Sequence, residues 1–135
     1  MTDTLRLEVV TPSRRVLEGR ASEVRIPGAL GELGILPGHT ELLTSLGTGE
    51  VTWFDGDTTG RLVVQGGFAE VQPDGVTVLA SIAEMVDEID VEAARSSLAE
   101  AQEKLKTVSA DEFDEIDGQV RLAEARISAA AGNGA

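Results

Sequence analysis

At Asp87-Glu88-Ile89-Asp90-Val91-Glu92-Ala93-Ala94 the chain changes its period, and the fold class follows from that change. Upstream, glycine and proline recur, and apolar residues alternate with polar ones. Downstream, glycine and proline nearly vanish, alanine rises, and apolar residues return every three or four positions. Two regions are expected, residues 1–86 and 87–135.

The upstream region has the period of strands. Leu5, Leu7 and Val9 alternate with Arg6 and Glu8, as in a half-buried strand, and Val24 and Ile26 flank Arg25 in the same way. Thr11-Pro12-Ser13 punctuates the chain. Residues 50–54 and 61–64 are separated by Asp55-Gly56-Asp57-Thr58-Thr59-Gly60, a hairpin-like loop. Residues 68–71 and 76–79 are separated by Gln72-Pro73-Asp74-Gly75. Proline presets one turn dihedral there, and Gly75 is free to take a positive φ. Short strands with frequent turns predict an antiparallel sandwich or barrel.

The downstream region has the period of helices. Asp90 is placed to cap the first, with Glu92 in its first turn. Ala94, Leu98, Ala101, Leu105 and Val108 then fall on one stripe. Ser109-Ala110-Asp111-Glu112 has the form of a capping box, and Phe113, Ile116, Val120, Ala123, Ile127 and Ala130 make a second stripe. Gly118 inside it costs about 1 kcal/mol relative to alanine, and Gly132-Asn133-Gly134 ends it. So short a break between stripes predicts an antiparallel helical hairpin. Few of its stripe residues are large, so it is expected to be marginal alone and sensitive to what it packs against.

Composition narrows the function classes. There is no cysteine and one histidine, His39, beside a Pro37-Gly38 turn. A thiolate metal site and a Cys–His catalytic pair are therefore excluded, and neither a metal nor a cofactor is expected. No Walker-type phosphate loop occurs, and Gly47-Thr48-Gly49 lacks the third glycine of a dinucleotide fingerprint and reads as a turn. The formal net charge is −13, with 6 positive and 12 negative residues in positions 1–84 and 5 and 12 in positions 85–135. An acidity spread so evenly argues against nucleic acid and against docking on anionic lipid. The opening residues Met1-Thr2-Asp3-Thr4-Leu5-Arg6 lack a secretory signal pattern, and no apolar run approaches the ~20 residues that span a bilayer. The residues leave open a stand-alone sandwich module with a dimerising hairpin, or a small hydrolase, which would need convergent titratable groups.

The most specific stretch is Gly31-Glu32-Leu33-Gly34-Ile35-Leu36-Pro37-Gly38-His39-Thr40-Glu41-Leu42-Leu43-Thr44. It resembles the signature of the epsilon subunits of F-type rotary ATP synthases: GELGI, a variable residue, PGH, two variable residues, then LLT. Gly66-Gly67-Phe68-Ala69-Glu70-Val71 and Val76-Thr77-Val78-Leu79-Ala80 resemble that family's second motif, and Glu88-Ile89-Asp90 the start of its helical pair. The resemblance runs over about residues 5–127. It implies a β plus α fold: an antiparallel β-sandwich of about ten strands in two sheets, then an antiparallel α-helical hairpin. It also implies a non-catalytic central-stalk subunit of a proton-translocating ATP synthase, coupling c-ring rotation to ATP synthesis and restraining ATP hydrolysis. The implied place is peripheral, on the cytoplasmic face of a bacterial cell membrane, with no direct lipid insertion.

The partners implied are the gamma subunit, the polar loops of the c-ring and, through the hairpin, the alpha/beta catalytic head. Carried over by motif, Gly31 and Glu32 would face the c-ring, with Gly38 and His39 nearby toward gamma. Two departures from the family stand out. The second helix offers only Arg121 and Arg126, amid Glu112, Asp114, Glu115, Asp117 and Glu124, with Lys104 and Lys106 ending the first. That argues against strong inhibition of hydrolysis. In Ile89-Asp90-Val91-Glu92-Ala93-Ala94, alanine stands at Ala93 where nucleotide-binding relatives carry arginine. Arg95 lies about 200° around the helix and cannot take over. No ATP binding is expected.

Overall fold

The computed structural model describes residues 4–132. The chain divides into two compact units, Met1–Met85 and Val86–Ala135; Asn133 and Gly134, expected to end the second helix, lie outside the described residues.

The first unit is built of eight strands: β1 Leu5–Val10, β2 Arg15–Ala21, β3 Glu23–Gly28, β4 Gly31–Ile35, β5 Leu42–Ser45, β6 Thr48–Asp55, β7 Thr58–Gln72 and β8 Gly75–Met85. They pair in the order β2-β1-β8-β7-β6-β3-β4, with β5 also on β7. The long strands β7 and β8 each serve both layers. The first half of β7 pairs with β6, from Asp55↔Thr58 to Thr48↔Gln65. Its second half pairs with β5, from Ser45↔Phe68 to Leu42↔Val71. β8 follows β7 along both halves. Counting each long strand twice yields ten segments in two five-stranded layers, which accounts for the ten strands expected.

The crossing point is visible in the phase of burial. Leu62 and Val64 face the core before it, and Ala69 and Val71 after it, so the inward set shifts from even to odd positions. The shift falls at Gly66 and Gly67, at φ +72° and +101°. On β8 the same inversion separates Val76, Val78 and Ala80 from Ala83. These residues join Leu5, Leu7, Val9, Val24, Ile26, Ile35 and Val51 in one core cluster. Inward side chains from both layers thus make the single core of a sandwich.

Several local expectations need correction. The sandwich is not wholly antiparallel: β1 runs parallel to β8, Arg6↔Gly75 through Val10↔Leu79. Gly75 does not adopt a positive φ. It is buried, and a Cβ there would lie 3.1 Å from the Arg6 carbonyl oxygen, so close strand approach explains the glycine. Thr58, Thr59 and Gly60 belong to β7, leaving Gly56 and Asp57 as the β6–β7 turn. Thr48 and Gly49 open β6, where a turn was expected.

The second unit holds α1 Val91–Leu105 and α2 Phe113–Ala131, which pack on each other. Asp90 caps α1, its carboxylate accepting from the Ala93 amide at 3.1 Å. The capping box at Ser109 is not made. A 3₁₀ turn, Ala110–Glu112, precedes α2, and the Ser109 hydroxyl donates to the Glu112 carboxylate at 3.2 Å, not accepting a backbone amide. Ala94 and Ala101 are buried on α1, and Val120, Leu122, Ala123 and Ala129 on α2. The stripe containing Val120 and Ala123 holds, but Phe113 is exposed, while Leu122 and Ala129 fall outside that stripe. The 3₁₀ turn places Phe113 at the first residue of α2, short of the buried stretch.

Candidate partner-docking surface

β3 and β4 form a hairpin closed by Ala29-Leu30, with Gly28 opposite Gly31 and Pro27 opposite Glu32. Gly31, at φ +139°, turns the chain, and Glu32 is exposed just beyond it. The tip is tied to the body of the sandwich. The Ala29 amide donates to the Ser45 carbonyl and the Gly47 amide to the Pro27 carbonyl, both at 2.9 Å.

Gly38 and His39 lie beyond the other end of β4. Gly38, at φ +87°, donates its amide to the Pro73 carbonyl at 2.8 Å. The His39 amide donates to the Leu36 carbonyl at 3.1 Å, and its ring Nδ1 donates to the Thr40 carbonyl at 2.7 Å. The histidine thus braces its own turn. The expectation that His39 lies near Glu32 fails. β4 is extended, and its three steps from Glu32 to Ile35 alone put about 10 Å between Glu32 and the start of the turn that carries His39. The four residues form two separate clusters, one at each end of β4.

An apolar strip on the sandwich exterior was not singled out from the sequence. Val10, Leu79, Phe68 and Ser45 are successive direct neighbours across β1, β8, β7 and β5. Their side chains point away from the core, since Val9, Val78 and Ala69 point into it. Phe68 is 52% exposed and Leu79 48%, and Leu43, one row over and opposite Glu70, is 68% exposed. A groove of about 330 Å³, lined by Val10, Thr11, Pro12, Leu79, Ala80 and Ser81, continues the strip at its β1 end. The signal was present in VTVLA: Val76, Val78 and Ala80 set the inward phase, so Leu79 had to face out.

The strip has a charged border. Glu8 and Glu18 are cross-strand partners. Arg15 pairs with both, at 2.9 and 3.1 Å, and Arg6 with both, at 3.3 and 3.7 Å. Exposed pairs of this kind contribute about 0–1 kcal/mol each to folding, but they satisfy the carboxylates before any partner arrives. What the face offers is apolar area, bordered by paired charges at its β1 end and by the exposed Glu70 beside Phe68, as in the core-and-rim pattern of protein interfaces.

The hairpin carries a smaller groove of about 180 Å³, lined among others by Ser97, Glu100, Lys104, Gln119, Leu122 and Arg126. Arg95 is paired with Glu92 at 2.8 Å, Lys106 with Glu103 at 3.1 Å and Arg121 with Asp117 at 3.2 Å.

Residues 4–86 match the family model described as "ATP synthase, Delta/Epsilon chain, beta-sandwich domain". The chain is 41% identical to the ATP synthase epsilon chain of Geotalea uraniireducens (strain Rf4) over 131 residues, covering 97% of this chain and 91% of that one. It is 41% identical to that of Solibacter usitatus (strain Ellin6076) over 132 residues, covering 96% and 98%. It is 43% identical to that of Myxococcus xanthus (strain DK1622) over 128 residues, covering 93% and 94%. Among solved structures, a chain of the Euglena gracilis mitochondrial ATP synthase (OSCP/F1/c-ring) superposes with a TM-score of 0.85 at 23% identity, covering 96% of this chain and 82% of that one. A chain of the Tetrahymena thermophila mitochondrial ATP synthase (central stalk/c-ring) superposes at 0.62 and 12% identity, covering 93% and 96%. At such identities the structural likeness speaks for the fold.

Proposed function

Because the chain belongs to the ATP synthase delta/epsilon family, as a non-catalytic epsilon chain, we propose that its sandwich docks on the gamma subunit through the Val10–Leu79–Phe68 strip and meets the c-ring with the β3–β4 tip. Held between shaft and ring, it couples ring rotation to ATP synthesis. The observation that carries this is the strip itself: an apolar row of Val10, Leu79 and Phe68 across three strands, on a unit whose core is already complete without it. Rows of half-exposed aromatic and aliphatic side chains inside a charged border are what protein partners cover.

The chain is a peripheral part of a membrane complex, and among the described residues no helix is long and apolar enough to cross a membrane. The proposed place is the cytoplasmic face. Glu32 is proposed to face the ring's polar loops, and His39 to brace the turn that presents Gly38 toward gamma.

The test is a chain ending at Met85. Since the strip and both β4 clusters lie in residues 1–85, this truncation is expected to bind gamma within about threefold of the full chain. Binding lost by a truncation that still melts cooperatively would move the docking site to the helices.

The hairpin is proposed to reach the alpha/beta head with little restraint on hydrolysis. Arg121 and Lys106 already pair with carboxylates on their own helices, so a partner's acidic loop would have to displace them. Nucleotide is disfavoured too. The Asp90 carboxylate is spent on its helix cap, and the interhelical groove is smaller than the ~300 Å³ at which ligand pockets begin. The isolated chain is expected to give no isotherm with millimolar Mg-ATP by titration calorimetry, and a micromolar isotherm would refute the point. A missing guanidinium accounts for about one to two decades of affinity, so Ala93→Arg is the variant in which weak binding should first appear.

A further inference from the structure

We infer that Leu30 is an apolar anchor by which the β3–β4 tip engages the ring, entering the cleft between neighbouring polar loops while Glu32 meets the polar groups at their rim. This rests on the ring contact proposed above and names the residue that makes it bind. Leu30 is 105% exposed, so no atom of its own chain covers it, whereas the other large exposed apolar residues range from 38 to 68%.

Its placement is rigid. The closing residues Ala29 and Leu30 are bracketed by Gly28 and Gly31, and a Cβ on Gly28 would lie 2.8 Å from the Gly31 carbonyl oxygen. The Ala29–Ser45 and Gly47–Pro27 hydrogen bonds and the Gly28↔Leu46 bridge tie the tip to the sandwich. With the backbone of the tip already tied, covering Leu30 has to order only its side-chain rotamers, and the rest of its burial is available as affinity. The tip also continues an interface. Ser45, which accepts from Ala29, pairs with Phe68 of the apolar strip. A partner seated on that strip therefore brings its neighbour within reach of Leu30. A ring of identical loops offers a cleft between each adjacent pair, and Leu30 and Glu32, two positions apart on one hairpin, reach the same cleft and its rim.

The experiment compares the full chain with Leu30→Ser, Leu30→Met and Glu32→Lys for binding to isolated gamma and to a detergent-solubilised gamma–c-ring assembly. Leu30→Ser is expected to lower affinity for the assembly by about tenfold to a hundredfold, to leave affinity for gamma alone unchanged, and to keep the melting temperature. Leu30→Met should retain binding. Unchanged affinity for both targets overturns the inference, and equal loss for both overturns it as well, placing Leu30 in the gamma footprint. Glu32→Lys separates the two levels. If it weakens assembly binding while Leu30→Ser does not, the ring contact stands and the anchor falls; if neither has an effect, the ring contact itself falls.

Discussion

Gly67→Ala is expected to destabilise the sandwich by about 3 kcal/mol or more, lowering its Tm by roughly 12–24 °C for a domain of this size. Two independent causes add. Gly67 sits at φ +101°, which side chains rarely tolerate. A Cβ there would also collide with the Leu79 carbonyl oxygen and lie 3.0 Å from the Ala80 Cα, both on β8. Because those atoms are backbone within the β7–β8 ladder, no rotamer change relieves the clash, and one long strand must leave the other. The neighbouring glycines calibrate the effect. Gly66, at φ +72°, would place its Cβ 3.2 Å from the Ser81 hydroxyl, which can rotate away. Gly66→Ala should therefore cost only the conformational part, about 1–2 kcal/mol. Gly31, at φ +139°, has nothing within 4 Å, so Gly31→Ala should carry a conformational cost alone, above that of Gly66→Ala because +139° lies outside the left-handed helical region. Urea unfolding of the three variants checks the order. If Gly67→Ala is no worse than Gly66→Ala, β7 does not cross between layers at this point.

Phe68→Asp is expected to weaken gamma binding by at least about a hundredfold, the scale of an interface hot spot. Phe68 is the only aromatic residue of the strip and lies between Leu79 and Ser45. Placing a carboxylate there removes the largest apolar contact and leaves a charge to be desolvated. The effect on folding should be about 1 kcal/mol, because the ring faces outward and aspartate is merely a poor strand residue. Phe68→Thr separates the two contributions. Threonine keeps strand propensity and adds no charge, so stability should be preserved while affinity still falls about tenfold. Titration of gamma into each variant, beside a thermal melt, is the measurement. Full affinity in a folded Phe68→Asp chain would show that gamma does not cover this strip.

The two-part organisation was legible because period is a local property. Alternation in Leu5-Arg6-Leu7-Glu8-Val9 and the three-four spacing of Ala94, Leu98 and Ala101 each follow from where successive Cβ atoms point. The helix cap at Asp90 was legible for the same reason, since donor and acceptor lie three residues apart. The Ser109 capping box fits the same kind of pattern and fails. There a 3₁₀ turn intervenes, and the serine hydroxyl finds the Glu112 carboxylate instead of an amide. A local motif states which bond is available, and geometry a few residues away selects among the available ones.

The candidate surface was harder to read. Glu32 and His39 fall within one continuous signature, yet an extended strand holds them at opposite ends of β4. The strip depends on Val10, Ser45, Phe68 and Leu79, which come from four strands, and no window of sequence contains them together. Only the parallel pairing of β1 with β8 brings Val10 beside Leu79, and only the turn in β7 at Gly66 and Gly67 puts Phe68 on the outside. Sequence was sufficient for the succession of a strand region and a helical pair, because period depends on neighbours within one turn or one pleat. Pairing partners, register and the changeover of strands between layers depend on which distant segments bury each other's apolar faces, and long-range packing alone settles that.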